Sequence, residues 1–250
     1  MEGYQQYCGN ELDAVSGCEM HGMTKNKGEG WSDEAMDNII RDLTEWINRQ
    51  EKHIIIGITG HGGAGKTTFA DQLKQAFCQD SNLICTDPYI VHSELRRDTK
   101  ITYTFQSEVH TAKMTACHPL AHYTEALERD IQMTLAGMKW STIDRDYLPS
   151  KLIDPAKKLT IFEGMSIAFV NTDYLDLQIY LYTDEQTELA RRSTRDTVER
   201  NRNLENIQKS HQERRRQFSH FMHSSKDKAD IILFTDEKGV HIEKQQLSIE

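Results

Sequence analysis

Gly60-His61-Gly62-Gly63-Ala64-Gly65-Lys66-Thr67 matches the pattern G-x-x-x-x-G-K-[ST] in full. Each part has a chemical reason. Glycines let a backbone turn through positive φ and come close to phosphate oxygens. With Gly60, Gly62, Gly63, Ala64 and Gly65 in the turn and Thr68 in the helix behind it, the N–H groups of both would face one anion. Lys66 can reach the β- and γ-phosphates of a nucleoside triphosphate, and the Thr67 hydroxyl can hold Mg2+. A carboxylate suited to the same cation stands at Glu163, where the apolar run Leu159-Thr160-Ile161-Phe162 ends. It can hold Mg2+ through water, and an ordinary strand-terminal acid is the alternative. A guanine reader of the form N-K-x-D is not matched: Asn26-Lys27-Gly28-Glu29 precedes the loop and ends in the wrong residue.

These residues need a framework that brings them to one place. His53–Thr59 reads as a strand, followed by the glycine loop and a helix from Lys66 to about Gln79. Leu83–Thr86, Leu159–Phe162, Leu177–Tyr182 and Ile231–Phe234 read as further strands, and Tyr123–Ala136 as a helix. Residues 89–120 read as irregular. Two helices, about 185–200 and 203–222, precede the last strand. Strands separated by helices predict a parallel sheet with right-handed crossovers, its ligands beyond the carboxyl ends of the strands. Ser32 is the expected cap of an earlier helix whose stripe of Met36, Ile39, Ile40, Leu43, Trp46 and Ile47 should pack on the domain. Residues 1–30 read as a mobile N-terminal tail and 31–250 as a single domain. Cys8, Cys18 and His21 in that tail lack a fourth ligand at metal-site spacing.

Composition narrows the function further. The chain of 250 residues is 37% hydrophobic and 28% charged with 4 Pro, which fits a polar-surfaced globular protein. The net charge is −9. Between Arg191 and Arg216, however, nine basic residues outnumber four acidic ones, so this stretch is near +5 and the rest near −14. An acidic body repels a nucleic-acid backbone, while a basic island on it can receive one small polyanion; a solvated helix face is the plainer alternative. No apolar run reaches membrane-spanning length, no signal peptide is visible, and five scattered cysteines make no disulfide framework. A cytoplasmic protein is expected, with no nucleic-acid or membrane partner and a homo-oligomer left open.

The loop, Thr86-Asp87-Pro88-Tyr89 closing the second strand, Phe162-Glu163-Gly164, and Arg191-Arg192-x-x-Arg195-Asp196-x-x-Glu199-Arg200-x-Arg202 together resemble the uridine kinase / phosphoribulokinase family of P-loop kinases. The resemblance spans roughly residues 52–235, and its arginine spacing is more specific than its loop. It implies an α/β P-loop NTPase fold, a five-stranded parallel sheet flanked by helices, with a helical arginine lid over about 185–222. It also implies ATP and Mg2+ as cofactors and a small-molecule hydroxyl compound as phosphoryl acceptor. By matching position, Asp87 resembles the acid that takes the acceptor's proton, a role a strand-end carboxylate can fill, although Asp-Pro also marks turns. Arg192, Arg195, Arg200 and Arg202 would close over the phosphates, and Tyr89 would lie near the acceptor, unless it only packs.

Two departures bear on the acceptor. Where uridine kinases carry Asp-His-Pro for the ribose hydroxyls, this chain has Cys117-His118-Pro119, and a thiol cannot accept two hydroxyl hydrogen bonds as a carboxylate does. The stretch Ile143-Asp144-Arg145-Asp146-Tyr147 also lacks the expected base-holding pattern. His118, Asp144, Arg145, Asp146 and Tyr147 therefore stand as candidates for gripping a different polar acceptor, or form an exposed polar loop. A regulatory ATPase that works with a protein partner is the alternative function.

Overall fold

The computed structural model describes residues 34–77, 80–198 and 204–247, and among these the side chains outside 195–209. Strand β1 (Ile54–Thr59) is buried along its whole length, as a central strand of a parallel sheet covered on both faces must be. β7 (Leu159–Glu163) and β8 (Leu177–Thr183) flank it, β2 (Ser81–Cys85) lies beyond β7, and β9 (Ile231–Thr235) lies beyond β8. These five strands run parallel, as the sequence predicts. A sixth, β10 (Val240–Gln245), adds antiparallel to the β9 edge. It was not expected, because Val240–Gln245 carries the adjacent charges Glu243 and Lys244 and follows its neighbour through a short turn rather than a helix.

Period-two alternation sorts the strand side chains between two cores. Ile54, Ile56 and Ile58 join Leu159, Ile161, Ile179 and Leu181 beneath α1 (Glu34–Arg49) and α2 (Lys66–Ala76). Ile55 and Phe162 point the other way, toward Ile84, Ile167 and the α3 (Thr124–Leu135) residues Leu127 and Ile131. Gly57 falls on this second face, where a Cβ would stand 2.6 Å from Leu175 and 2.9 Å from Ile167. The predicted α1 stripe is buried at Met36, Ile39, Leu43, Trp46 and Ile47, with Ile40 half-buried at its margin. The expected tail, 1–30, lies outside the described residues.

Residues 89–120 are not irregular throughout. Strands β3 (Lys100–Phe105) and β4 (Glu108–Lys113) form a hairpin paired from Lys100–Lys113 to Phe105–Glu108. Its two turn residues, Gln106 and Ser107, both take positive φ, 50° and 67°. Turns of that kind favour Asn-Gly or Asp-Gly, so Gln-Ser gave no sign of one. A second, minimal ribbon pairs β5 (Trp140–Ser141) with β6 (Leu152–Ile153).

The two helices expected after β8 are α4 (Glu185–Val198) and α5 (Leu204–Gln217). Asp184 caps α4, accepting from the Thr187 N–H at 2.8 Å and its hydroxyl at 2.6 Å. α5 runs on into a π-helical turn, Phe218–Met222, whose Phe218 and Met222 pack on Tyr180 of β8 and Ile232 of β9. The hairpin grips the same helix. Tyr103 donates to Glu213 at 2.8 Å, and the Gln217 amide accepts from Thr115 and donates to the Lys113 carbonyl. Among the described residues no helix is long and apolar enough to cross a membrane.

His122 ties the residue 116–122 segment to the helical turn that follows β7. Its Nε2 lies 2.8 Å from the Ala116 carbonyl, to which it must donate, and its Nδ1 accepts from the Ser166 hydroxyl at 2.8 Å. Burial lowers its pKa to about 4. The unfolded chain takes up this proton near 6.5, so stability is lost as pH falls from about 6.5 to 4. The loss attributable to His122 is on the order of 3 kcal/mol. Chemical unfolding at pH 7 and pH 4.5 should show a steeper decline for the wild type than for His122→Asn; equal declines would remove His122 from the acid sensitivity.

Candidate functional site

Three strand ends converge. The glycine loop leaves β1, Asp87 follows β2, and Glu163 closes β7, which lies between them with Glu163 beside Ile58 on one side and Cys85 on the other. The loop conformation rests on glycine at Gly60, Gly63 and Gly65, where φ is 137°, 83° and 87°. A Cβ on Gly60 would overlap the Leu181 carbonyl oxygen. Gly62 is different: its nearest neighbours to such a Cβ, the Arg192 stem and the Arg214 guanidinium, stand 4.0 Å away.

Lys66 turns back into the loop, where its Nζ donates to the His61 carbonyl at 3.0 Å and stands 4.0 Å from Glu163. The Thr67 hydroxyl donates to the other Glu163 oxygen at 3.2 Å. Burial pushes the Glu163 carboxyl up to about 7, with Lys66 opposing and the nearby Asp87 charge adding to the rise. A buried acid in that state lacks counter-charge, and a hard dication beside the Thr67 hydroxyl would supply it. The residues present therefore fit the Mg2+ that the loop motif implies.

Asp87 opens a short turn with Pro88 and Tyr89. The 144–148 segment docks on this turn: Arg145 donates to the Pro88 carbonyl at 3.0 Å, and the Tyr147 phenol is pushed up in pKa by burial and by the Asp87 charge. Tyr147 thus lies within electrostatic reach of Asp87. The other acceptor candidates do not gather there. Tyr89 is buried in the second core and donates its hydroxyl to Asp130. His118 accepts from Leu120 N–H at 3.1 Å and meets the Phe221 ring edge-on, capping its own turn. Asp144 is exposed and braces its own loop by accepting from Ser150 N–H at 3.0 Å.

The basic island is partly bound up. Arg192 is 2% exposed, its stem against Gly62 and Gly63 and its Nη1 3.3 Å from Glu188. Arg215 reaches the other Glu188 oxygen at 2.9 Å. Burial works to raise the Glu188 carboxyl, yet these guanidiniums contribute to holding it below its ordinary value. Arg214, half-buried beside Gly62, makes neither hydrogen bond nor ion pair among the described residues. The backbone of Arg195 belongs to α4, while Arg200 and Arg202 lie outside the described residues. Sequence reasoning missed His61, Glu188, Arg214 and Arg215 as parts of this site. The last two were counted in the island, but nothing in their spacing set them apart, and His61 occupies a motif position that admits any residue.

The model of the phosphoribulokinase / uridine kinase family matches residues 55–237. A uridine kinase of Ligilactobacillus salivarius is 28% identical over 200 residues, covering 74% of this chain and 87% of that one. A uridine kinase of Halobacterium salinarum is 30% identical over 187 residues, covering 71% and 78%. The chloroplastic phosphoribulokinase of Arabidopsis thaliana is 28% identical over 218 residues, and there the match spans 52% of the relative's length. Among solved structures, the phosphoribulokinase from Rhodobacter spheroides superposes with a TM-score of 0.52 at 19% identity, over 74% of this chain and 71% of that one. At that identity the likeness is one of fold.

The contrast between Gly60 and Gly62 is directly measurable. Gly60→Ala should lower the unfolding free energy by several kcal/mol, since both φ and the Leu181 carbonyl oppose it. Gly62→Ala, with neither obstacle, should lie between no change and about 1 kcal/mol more stable. Urea unfolding of both variants decides; equal stability would mean that the loop does not hold the described conformation.

Proposed function

We propose, from the premise that this chain belongs to the phosphoribulokinase / uridine kinase family, that it transfers the γ-phosphoryl group of ATP to a hydroxyl of a small metabolite. The observation that carries the reading is the convergence of the Gly60–Thr67 loop, Glu163 and Asp87 at the carboxyl ends of adjacent parallel strands. The loop amides and Lys66 would bind the triphosphate, with Gly60, Gly62, Gly63, Ala64, Gly65 and Thr68 as its backbone contacts. Thr67 and Glu163 would hold Mg2+. That ion, when bound, screens the phosphate charge and orients the oxygens that carry it.

Asp87 would accept the proton of the attacking hydroxyl and aim that oxygen at the terminal phosphorus. Tyr147 and Arg145 support this: one lies within electrostatic reach of the carboxylate, and the other fixes the turn that carries it. Arg214 is a guanidinium at the loop with no protein partner among the described residues, and Arg192, Arg195, Arg200 and Arg202 would complete the charge around the phosphates. An acceptor other than a ribose read in the uridine-kinase manner is favoured by Cys117. That side chain is 3% exposed and packs with Met165, Tyr180 and Phe218, so no carboxylate faces outward at this position. The relatives named as kinases weigh against a regulatory ATPase.

A coupled ADP-release screen over hydroxyl metabolites tests the reaction. With the acceptor it identifies, Asp87→Asn should lower kcat by about 100- to 10,000-fold while nucleotide binding persists. Lys66→Ala should weaken both. Full turnover by Asp87→Asn would take that carboxylate out of the chemistry.

A further inference from the structure

A backbone that turns its N–H groups toward an anion must send its carbonyls elsewhere, and here three consecutive loop carbonyls are each held by a side chain. The Gly62 carbonyl lies 2.9 Å from His61 Nδ1, the Gly63 carbonyl accepts from Arg191 Nη1 at 3.1 Å, and the Ala64 carbonyl accepts from the Thr235 hydroxyl at 3.2 Å. These holders come from the loop itself, from α4 and from the end of β9. They also hold one another, because Arg191 Nη1 donates to Thr235 Oγ1 at 2.9 Å.

His61 is the least expected of the three. It is 1% exposed, and its ring meets Phe218 in the π-helical turn edge-on, with centroids 4.4 Å apart. Thr183 N–H, at the carboxyl end of β8, donates to His61 Nε2 at 3.0 Å. The Thr183 carbonyl also lies 3.3 Å from Nε2, but the closer Thr183 N–H can only donate, so Nε2 carries the lone pair and the proton sits on Nδ1, aimed at the Gly62 carbonyl. Arg215 of α5 points its Nη1 at the same lone pair from 3.3 Å. The groups around the ring favour this neutral form. Lys66 of α2, Arg192 of α4, and Arg215 and His211 of α5 surround it or its one acid, Glu188, which the two arginines already share. Burial, with Arg215 and Lys66 adding to it and Glu188 opposing, brings the pKa of His61 down to about 4.

We propose that His61, Arg191 and Thr235 are positioning residues that form a carbonyl clamp behind the phosphate loop. By pinning the Gly62, Gly63 and Ala64 carbonyls outward, they set the loop amides for a nucleoside triphosphate before it arrives, and through Thr183 and Arg215 His61 registers the loop against β8 and α5. None of the three touches the reacting atoms. The clamp rests on the reading of the loop as a nucleotide site. Its effect is on binding: a loop that must be ordered by its ligand binds it more weakly than one ordered in advance.

Calorimetric titration of the full chain with Mg·ATP tests it, alongside KM and kcat for the acceptor found in the screen. Thr235→Val keeps the shape of the side chain and removes the hydroxyl, so it should weaken Mg·ATP by about tenfold, the equivalent of one lost hydrogen bond. Acceptor KM and kcat at saturating ATP should hold. At position 61, Asn places an N–H where Nδ1 stands and Gln places an oxygen where Nε2 stands. His61→Asn should therefore keep more nucleotide affinity than His61→Gln. If both substitutions and Thr235→Val bind Mg·ATP like the wild type, or if only the melting temperature moves, the clamp is refuted. If the wild type itself binds no nucleotide, the kinase reading fails instead.

Discussion

The geometry of this protein depends on one constraint: a glycine-rich turn must leave a fully buried strand, present amides to an anion and enter a helix within a few residues. Gly60 meets the first demand, because only a residue without Cβ passes the Leu181 carbonyl at φ 137°. Gly65, at φ 87°, meets the last by standing at the start of α2 in a left-handed conformation. The strand that delivers the chain to this turn is as constrained as the turn. β1 is paired on both sides and buried on both faces, so its carboxyl end cannot shift without moving β7 and β8. Glu163 and Thr183 are the last residues of those neighbours, and both touch loop or helix side chains. The loop thus inherits its rigidity from the sheet.

Two buried carboxylates on either side of the loop illustrate how environment divides similar groups. Glu188 faces guanidiniums from two helices and remains ionised, which binds α4 to α5 behind the loop. Glu163 has a lysine at 4.0 Å, a hydroxyl, and a second acid nearby, and burial wins. The first is neutralised by the protein; the second is short of positive charge in this state. That asymmetry sets Glu188 apart as a structural ion pair and supports the proposal that Glu163 holds a cation.

Much of this could be read from the residues. The loop motif, the five parallel strands and the α1 stripe follow from spacing and periodicity, because burial on both faces leaves unbroken apolar runs and one-sided burial leaves a helical stripe. The hairpin escaped because Gln106-Ser107 adopts positive φ without the residues that usually announce it. For Tyr89 the family resemblance implied a place near the acceptor with packing as the alternative, and the turn takes the alternative, sending the ring into the core, where Asp130 receives the hydroxyl. His61 could not be singled out, since its importance lies in partners more than a hundred residues away: Thr183, Glu188 and Arg215. Contacts of such sequence separation leave no local pattern.

The position of α5 follows from the same reasoning. One side of the helix is fastened to the hairpin through Glu213 and Gln217, and another meets the loop through Arg214 and Arg215. These pairs are three or four residues apart or adjacent, so a small rotation of the helix would break one set of contacts to relieve the other. The hairpin, remote from the strand ends, therefore has a physical route to the phosphate loop: Tyr103 and the Lys113 carbonyl fix the azimuth at which α5 presents its arginines. A chain with the same loop and strands but no such hairpin would have to fix that azimuth by other contacts. The β3–β4 hairpin is thus better understood as part of the frame that holds the site than as decoration on the surface.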